Sequence, residues 1–355
     1  MFSYPPFGEK EEGQKSPSLW ADYLNPLILV FSALVLRCFT PGKPDLSSIA
    51  LSLLVVLATY YLGRLLFSSR TAFLGSLLLS FSAYHIFRSQ ESLNYPLLSF
   101  LWVSASYFFL RYLRNGKTIY WLGWSISTLL SLYDSYFSIC LIAVQLVIWL
   151  GQENRSARSK GLVLAYLAVF IGFLPQLIIL LSCPGAPVQG GSPLANLKDL
   201  LSETAKITFG PYNEVLLFIL GLLAVLPLII YSAFTLKAQT RYFLLGFLLI
   251  PVVWGFLFSR LRIFGIGDLS FLYFIMPALC LVYGWAMARI PQKLICGIFL
   301  GMFLSLNLVS WYKIEFTRPH CMPAPEVSGE IFSSKTEDNF TEKYYFNCDF
   351  QKGLK

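Results

Sequence analysis

The densest set of side chains able to do chemistry reads Tyr84-His85-Ile86-Phe87-Arg88-Ser89-Gln90-Glu91-Ser92-Leu93-Asn94-Tyr95. It offers a carboxylate, a cation, an imidazole and amides to one small volume. A carboxylate can take a proton from a reacting hydroxyl, and a fixed cation can stabilise developing negative charge. The competing reading is a solvated loop in which Arg88 and Glu91 pair weakly, as exposed ion pairs do. Asp134, in the corner Leu132-Tyr133-Asp134-Ser135-Tyr136-Phe137, and Arg260 and Arg262 are further ionisable candidates at the ends of apolar runs.

The elements that must position these groups follow from composition. Hydrophobic residues make up 56% of the 355 positions and charged residues 13%, a balance that leaves a soluble globule short of polar surface. In lipid every backbone N–H and C=O must be satisfied within the chain, and the apolar runs are too long for barrel strands, so they are helices. Runs near 47–66, 72–87, 96–113, 117–134, 136–151, 162–182, 214–235, 242–259, 268–288 and 294–311 predict about ten spans. The run from Pro26 to Phe39 is shorter and carries Arg37, which predicts a short interfacial helix over 24–40. The predicted fold class is thus an all-α integral membrane bundle.

Basic residues collect in alternate loops: Arg64 and Arg70; Arg111, Arg114 and Lys117; Arg155, Arg158 and Lys160; Lys237 and Arg241; Arg289 and Lys293. The positive-inside rule makes those loops cytoplasmic and puts residues 84–95, 133–136, 184–213 and 260–270 outside. The formal charge of +8 is a topology signal, and no nucleic-acid partner is expected because no soluble face gathers it. The organisation that follows is a polar extracytoplasmic segment over 1–23, a multi-span domain over 24–311 and a polar extracytoplasmic tail over 312–355. His320 is a lone tail histidine with no spaced partner, and no Gly-rich phosphate loop, paired His ligands or nucleophile-elbow motif occurs.

Leu62-Gly63-Arg64-Leu65-Leu66-Phe67, an apolar helix, His85-Ile86, Ser89-Gln90-Glu91 and Tyr95 occur in that order. With Phe109-Leu110-Arg111-Tyr112-Leu113-Arg114 and the Asp134 corner, they resemble the C-type glycosyltransferases related to protein O-mannosyltransferases and aminoarabinose transferases. The resemblance covers approximately residues 40 to 150. It implies transfer of a sugar from a polyprenyl-phosphate donor to a glycan, lipid or protein acceptor on the outer side of the membrane, the bacterial plasma membrane being the expected location. Glu91 matches the acidic position of the family segment, with Asp134 as a second catalytic candidate. His85, Arg88, Gln90 and Tyr95 are the expected substrate-binding groups, and the resemblance leaves room for a divalent metal ion.

The sequence departs from the family pattern in three places. The first span and the acidic outer loop after it are missing, with Asp22-Tyr23-Leu24-Asn25-Pro26-Leu27 standing where that loop would end. Pro277-Ala278-Leu279 is preceded by Ser270 and Phe271 where relatives carry Arg-Tyr, so Arg260 and Arg262 are the expected replacements on the phosphate. Asp134 stands where many relatives have Thr-His. Two other readings fit the same spans: a noncatalytic or truncated relative, and a transporter or flippase for a lipid-linked precursor.

Overall fold

A computed structural model describes residues 19–38, 46–150, 156–182 and 273–289, with isolated positions between 240 and 253 and between 297 and 309. Among the described residues there is no strand. The helices are α1 (Leu19–Cys38), α2 (Leu46–Leu66), α3 (Ser69–Phe81), α4 (Ala83–Glu91), α5 (Asn94–Asn115), α6 (Thr118–Asp134), α7 (Ile139–Leu150), α8 (Ser156–Ser182) and α9 (Met276–Arg289). A 3-10 turn over Tyr136–Ser138 joins α6 to α7. By length and apolarity Leu46–Leu66 and Gly161–Ile178 can each cross a membrane alone, and the bent pair Ala83–Gln90 plus Asn94–Asn115 makes a third if it is one span. The described residues therefore do not reach ten spans; the run 214–235, the segment 1–18 and the tail lie outside them.

Two expectations change. The run 72–87 is not one span: it breaks at Ser82, whose extended backbone (φ −66°, ψ 114°) ends α3 and starts α4. The Ser82 hydroxyl accepts from the His85 N–H at 3.2 Å, supplying the cap that a new helix start needs. Apolarity alone cannot signal this break, because both halves are buried. The first helix starts at Leu19, inside the segment 1–23 expected to be a polar extracytoplasmic stretch, and runs through Pro26. It buries Leu29, Ala33 and Arg37, one stripe at four-residue spacing, and exposes Leu27 and Phe31.

Close backbone packing sets the bundle. Gly63 faces Ala72 between α2 and α3, and Gly75 faces Cys280, Leu281 and Gly284 between α3 and α9. Without side chains at these points the helices approach closely, the usual device of helix pairs in lipid. On the other side α5 packs on α6, Phe108 lying over Gly123, and ends at Gly116 in the left-handed region (φ 67°) with its N–H donated to the Tyr112 carbonyl. Buried Trp124 Nε1 donates to Gln145 Oε1 at 2.7 Å, tying α6 to α7. Helix α8 covers α6 through Tyr133, whose hydroxyl donates to the Gly172 carbonyl. Its outer stripe Val163, Leu167, Phe170, Ile171 and Leu174 is exposed and apolar, as expected of a face solvated by acyl chains.

The bundle has two unlike ends. At one, Arg64, Arg111 and Arg289 lie over the rings of Tyr60, Tyr107 and Trp285, with Phe67 against Trp285. At the other, α3 gives way to α4 and the chain leading into α9 passes beneath it.

Candidate functional site

Helix α4 carries most of the candidate groups and is short, so its surroundings must hold it. Asn307 Oδ1 accepts from the Ala83 N–H at 2.8 Å, satisfying one of the donors that a helix start leaves without a partner. Ala83, Tyr84, His85, Ile86 and Ser89 are buried, Arg88 is half-buried and Gln90 is exposed. The chain then turns, and Ala83–Gln90 and Asn94–Asn115 meet at 119°.

Beneath α4 lies a buried polar contact. Arg37, fully buried on α1, donates from Nη2 to His85 Nδ1 at 2.7 Å and from Nη1 to the Ala33 carbonyl at 3.1 Å. A guanidinium has only donors, so Nδ1 must accept; the His85 proton sits on Nε2 and the imidazole is neutral. The His85 ring stacks on Tyr273, 5.4 Å between centroids and 8° between planes. Tyr273 also meets Tyr84 at 6.1 Å and Tyr95 at 5.9 Å. Those two rings flank the cation of the site, with Arg88 Cζ 5.6 Å from the Tyr84 centroid and 5.3 Å from that of Tyr95.

The expected residues are thus partly brought together. Arg88 and Tyr95 touch, as α4 folds back on the start of α5. His85, expected to meet substrate directly, is fully buried; it supports α4 from below because its ring is held between Arg37 and Tyr273. Glu91 is the last residue of α4 and Gln90 precedes it, while the direction of the Glu91 side chain lies outside the described residues. Arg260 and Arg262 lie outside them as well. Asp134 ends α6, half-buried, beside a corner in which Gln176 Nε2 donates to the Tyr136 hydroxyl at 2.8 Å. The contacts described between this corner and α4 are indirect: Phe137 meets Phe274 at 6.3 Å, and Phe274 meets Tyr273 at 6.2 Å.

Sequence reasoning placed Tyr84 in the cluster without a role and missed Arg37, Tyr273 and Asn307. A lone arginine closing an apolar run was the available signal for the first, since a buried cation needs partners. The tyrosines look ordinary in aromatic-rich spans. Among the described residues no three His, Cys, Asp or Glu side chains come together as a metal-ligand set.

Residues 43–179 match the family of dolichyl-phosphate-mannose-protein mannosyltransferases. The match covers 137 of the 355 residues and is a similarity of that segment to the family. Neither a curated protein nor a solved structure matches the chain. The family is one of membrane glycosyltransferases using lipid-linked sugar donors. The glycosyltransferase match runs from the start of α2 into α8 and contains His85, Arg88, Gln90, Glu91, Tyr95 and Asp134. Arg37, Tyr273 and Asn307, which hold α4 from three directions, lie outside it.

Proposed function

We propose that this protein transfers a sugar from a polyprenyl-phosphate donor to an acceptor on the extracytoplasmic face of the membrane, with α4 at the outer end of the bundle. The observation carrying this reading is Arg88, held over two tyrosine rings at the bend between α4 and α5, inside the matched segment. The two ring contacts restrict the Arg88 guanidinium, and a guanidinium's N–H donors suit a phosphate.

In the reaction the sugar C1–O bond to phosphate breaks and a C1–O bond to the acceptor forms. The polyprenyl phosphate leaves with the bonding electrons and is stabilised by Arg88, with Arg260 and Arg262 as further cations. Glu91 takes the acceptor proton as general base, Gln90 and Tyr95 orient the sugar, and Asp134 serves the acceptor side.

The test is reconstitution of the full chain in liposomes with radiolabelled polyprenyl-phosphate-mannose and a hydroxyl-bearing acceptor. Labelled acceptor is the expected result. Donor that binds but is never cleaved would make the protein a noncatalytic relative; intact donor that crosses the bilayer would make it a flippase.

A further inference from the structure

The contacts beneath α4 form one unbroken series: Arg37 to His85, His85 to Tyr273, Tyr273 to Tyr84 and Tyr95, and those two rings to Arg88. Its far end is on α1, 48 residues from His85 and outside the segment that matches the mannosyltransferase family. We propose that Arg37 is a positioning residue for the donor site: it holds His85 as the neutral Nε2–H tautomer in one ring plane, and through Tyr273 this fixes the tyrosines that orient Arg88. The proposal rests on the reading of Arg88 as the phosphate-binding group.

The physical argument is one of orientation. The Arg37 fork is engaged on both nitrogens, by the Ala33 carbonyl and by Nδ1, so it presents a directed donor and not a mobile charge. An imidazole bonded through Nδ1 cannot flip or change tautomer without losing that bond. Parallel stacking on Tyr273 at 8° in turn depends on the plane of the imidazole. A loss at Arg37 therefore reaches Arg88 as disorder in its cradle, not as a missing contact with substrate.

The chain has two histidines, His85 and His320, so imidazole 15N spectra of the full-length protein in nanodiscs resolve His85 once a His320→Gln control assigns the other. In the wild type His85 is expected wholly as the Nε2–H form. In Arg37→Met, which keeps the apolar stem and removes the donors, the tautomers mix, and the KM for polyprenyl-phosphate-mannose rises about tenfold with kcat nearly unchanged. His85→Asn offers Oδ1 to Arg37 in place of Nδ1 but gives Tyr273 no ring to stack on, so it and His85→Leu both raise KM as Arg37→Met does, and the Arg37→Met/His85→Leu double variant is no worse than either single one. An unchanged 15N spectrum and KM in Arg37→Met overturn the proposal. So does a fall of kcat and melting temperature with KM unchanged, which is the mark of a purely structural contact. If Arg37→Met is not recovered folded, His85→Asn, which keeps an acceptor for Arg37, decides the same question: a raised KM with kcat and melting temperature held supports the proposal, and a wild-type KM overturns it. A wild type that transfers nothing would defeat the glycosyltransferase reading, while the 15N spectra would still decide the contact between Arg37 and His85.

Discussion

Gly284 packs directly on Gly75: a Cβ added at 284 would stand 2.8 Å from the Gly75 Cα and 2.8 Å from the Thr71 carbonyl oxygen, both backbone atoms that cannot swing aside. The two glycines set the level of the site. His85 lies ten residues beyond Gly75, and Tyr273 eleven residues before Gly284. Beyond the break at Ser82 on one side and ahead of α9 on the other, the two rings meet at 5.4 Å between centroids.

Gly284→Ala is accordingly expected to cost roughly 1–3 kcal/mol through overpacking, read as a lower melting temperature in detergent. Gly301→Ala is the control. Nothing lies within 4 Å of a Cβ there, and the melting temperature should hold.

Removing the acceptor from Trp124 should be as damaging. Gln145→Ala leaves the buried indole N–H without its 2.7 Å partner, at a cost of roughly 1–3 kcal/mol. Replacing both residues, as Trp124→Phe with Gln145→Leu, should recover part of that loss, and a double-mutant cycle on unfolding measures it.

Glu91→Gln keeps the size of the side chain and removes its charge. If Glu91 is the general base, transfer from a polyprenyl-phosphate-sugar donor should fall roughly 100-fold or more with the melting temperature unchanged. Unchanged transfer would remove Glu91 from the mechanism.

Arg88→Lys keeps a positive charge but not the planar fork between Tyr84 and Tyr95. The KM for donor should rise about tenfold, reflecting lost stacking and lost bidentate binding, with a smaller change in kcat. Equal loss in both constants would place Arg88 in the transition state as well.

Sidedness can be read with a membrane-impermeant thiol reagent on cysteines placed in a cysteine-free background. A cysteine at Ser92 should label in intact cells and one at Ser156 should not. The reverse pattern would invert the topology deduced from the basic loops.

Much of the helical layout was legible because apolar length and helix length coincide. The run 96–113 appears as Asn94–Asn115 and the run 117–134 as Thr118–Asp134, bounded by Gly116, which a sequence reader can expect to end a helix. The site was legible only in part. Arg88 and Tyr95 are seven residues apart, close enough for a turn to join them, and both stand in the segment that invites attention. The contact of Arg37 with His85 spans 48 residues, and that of Ala83 with Asn307 spans 224. No local pattern encodes such pairings, since they depend on where helices land after packing. Ser82 escaped notice for a different reason: a serine in an apolar run looks like a tolerated polar residue until its backbone shows it to be two caps at once.

The bond from Ala83 to Asn307 also has a meaning in time. A ribosome adding roughly 5–20 residues per second needs roughly 10–45 s to make the 224 residues between them. Throughout that interval α4 lacks the acceptor for its first N–H, and Tyr273 is made only 34 residues before that acceptor. The surroundings of α4 are therefore completed only once Asn307 has been made. A nascent chain stalled before that point would carry α4 without the acceptor for its first N–H.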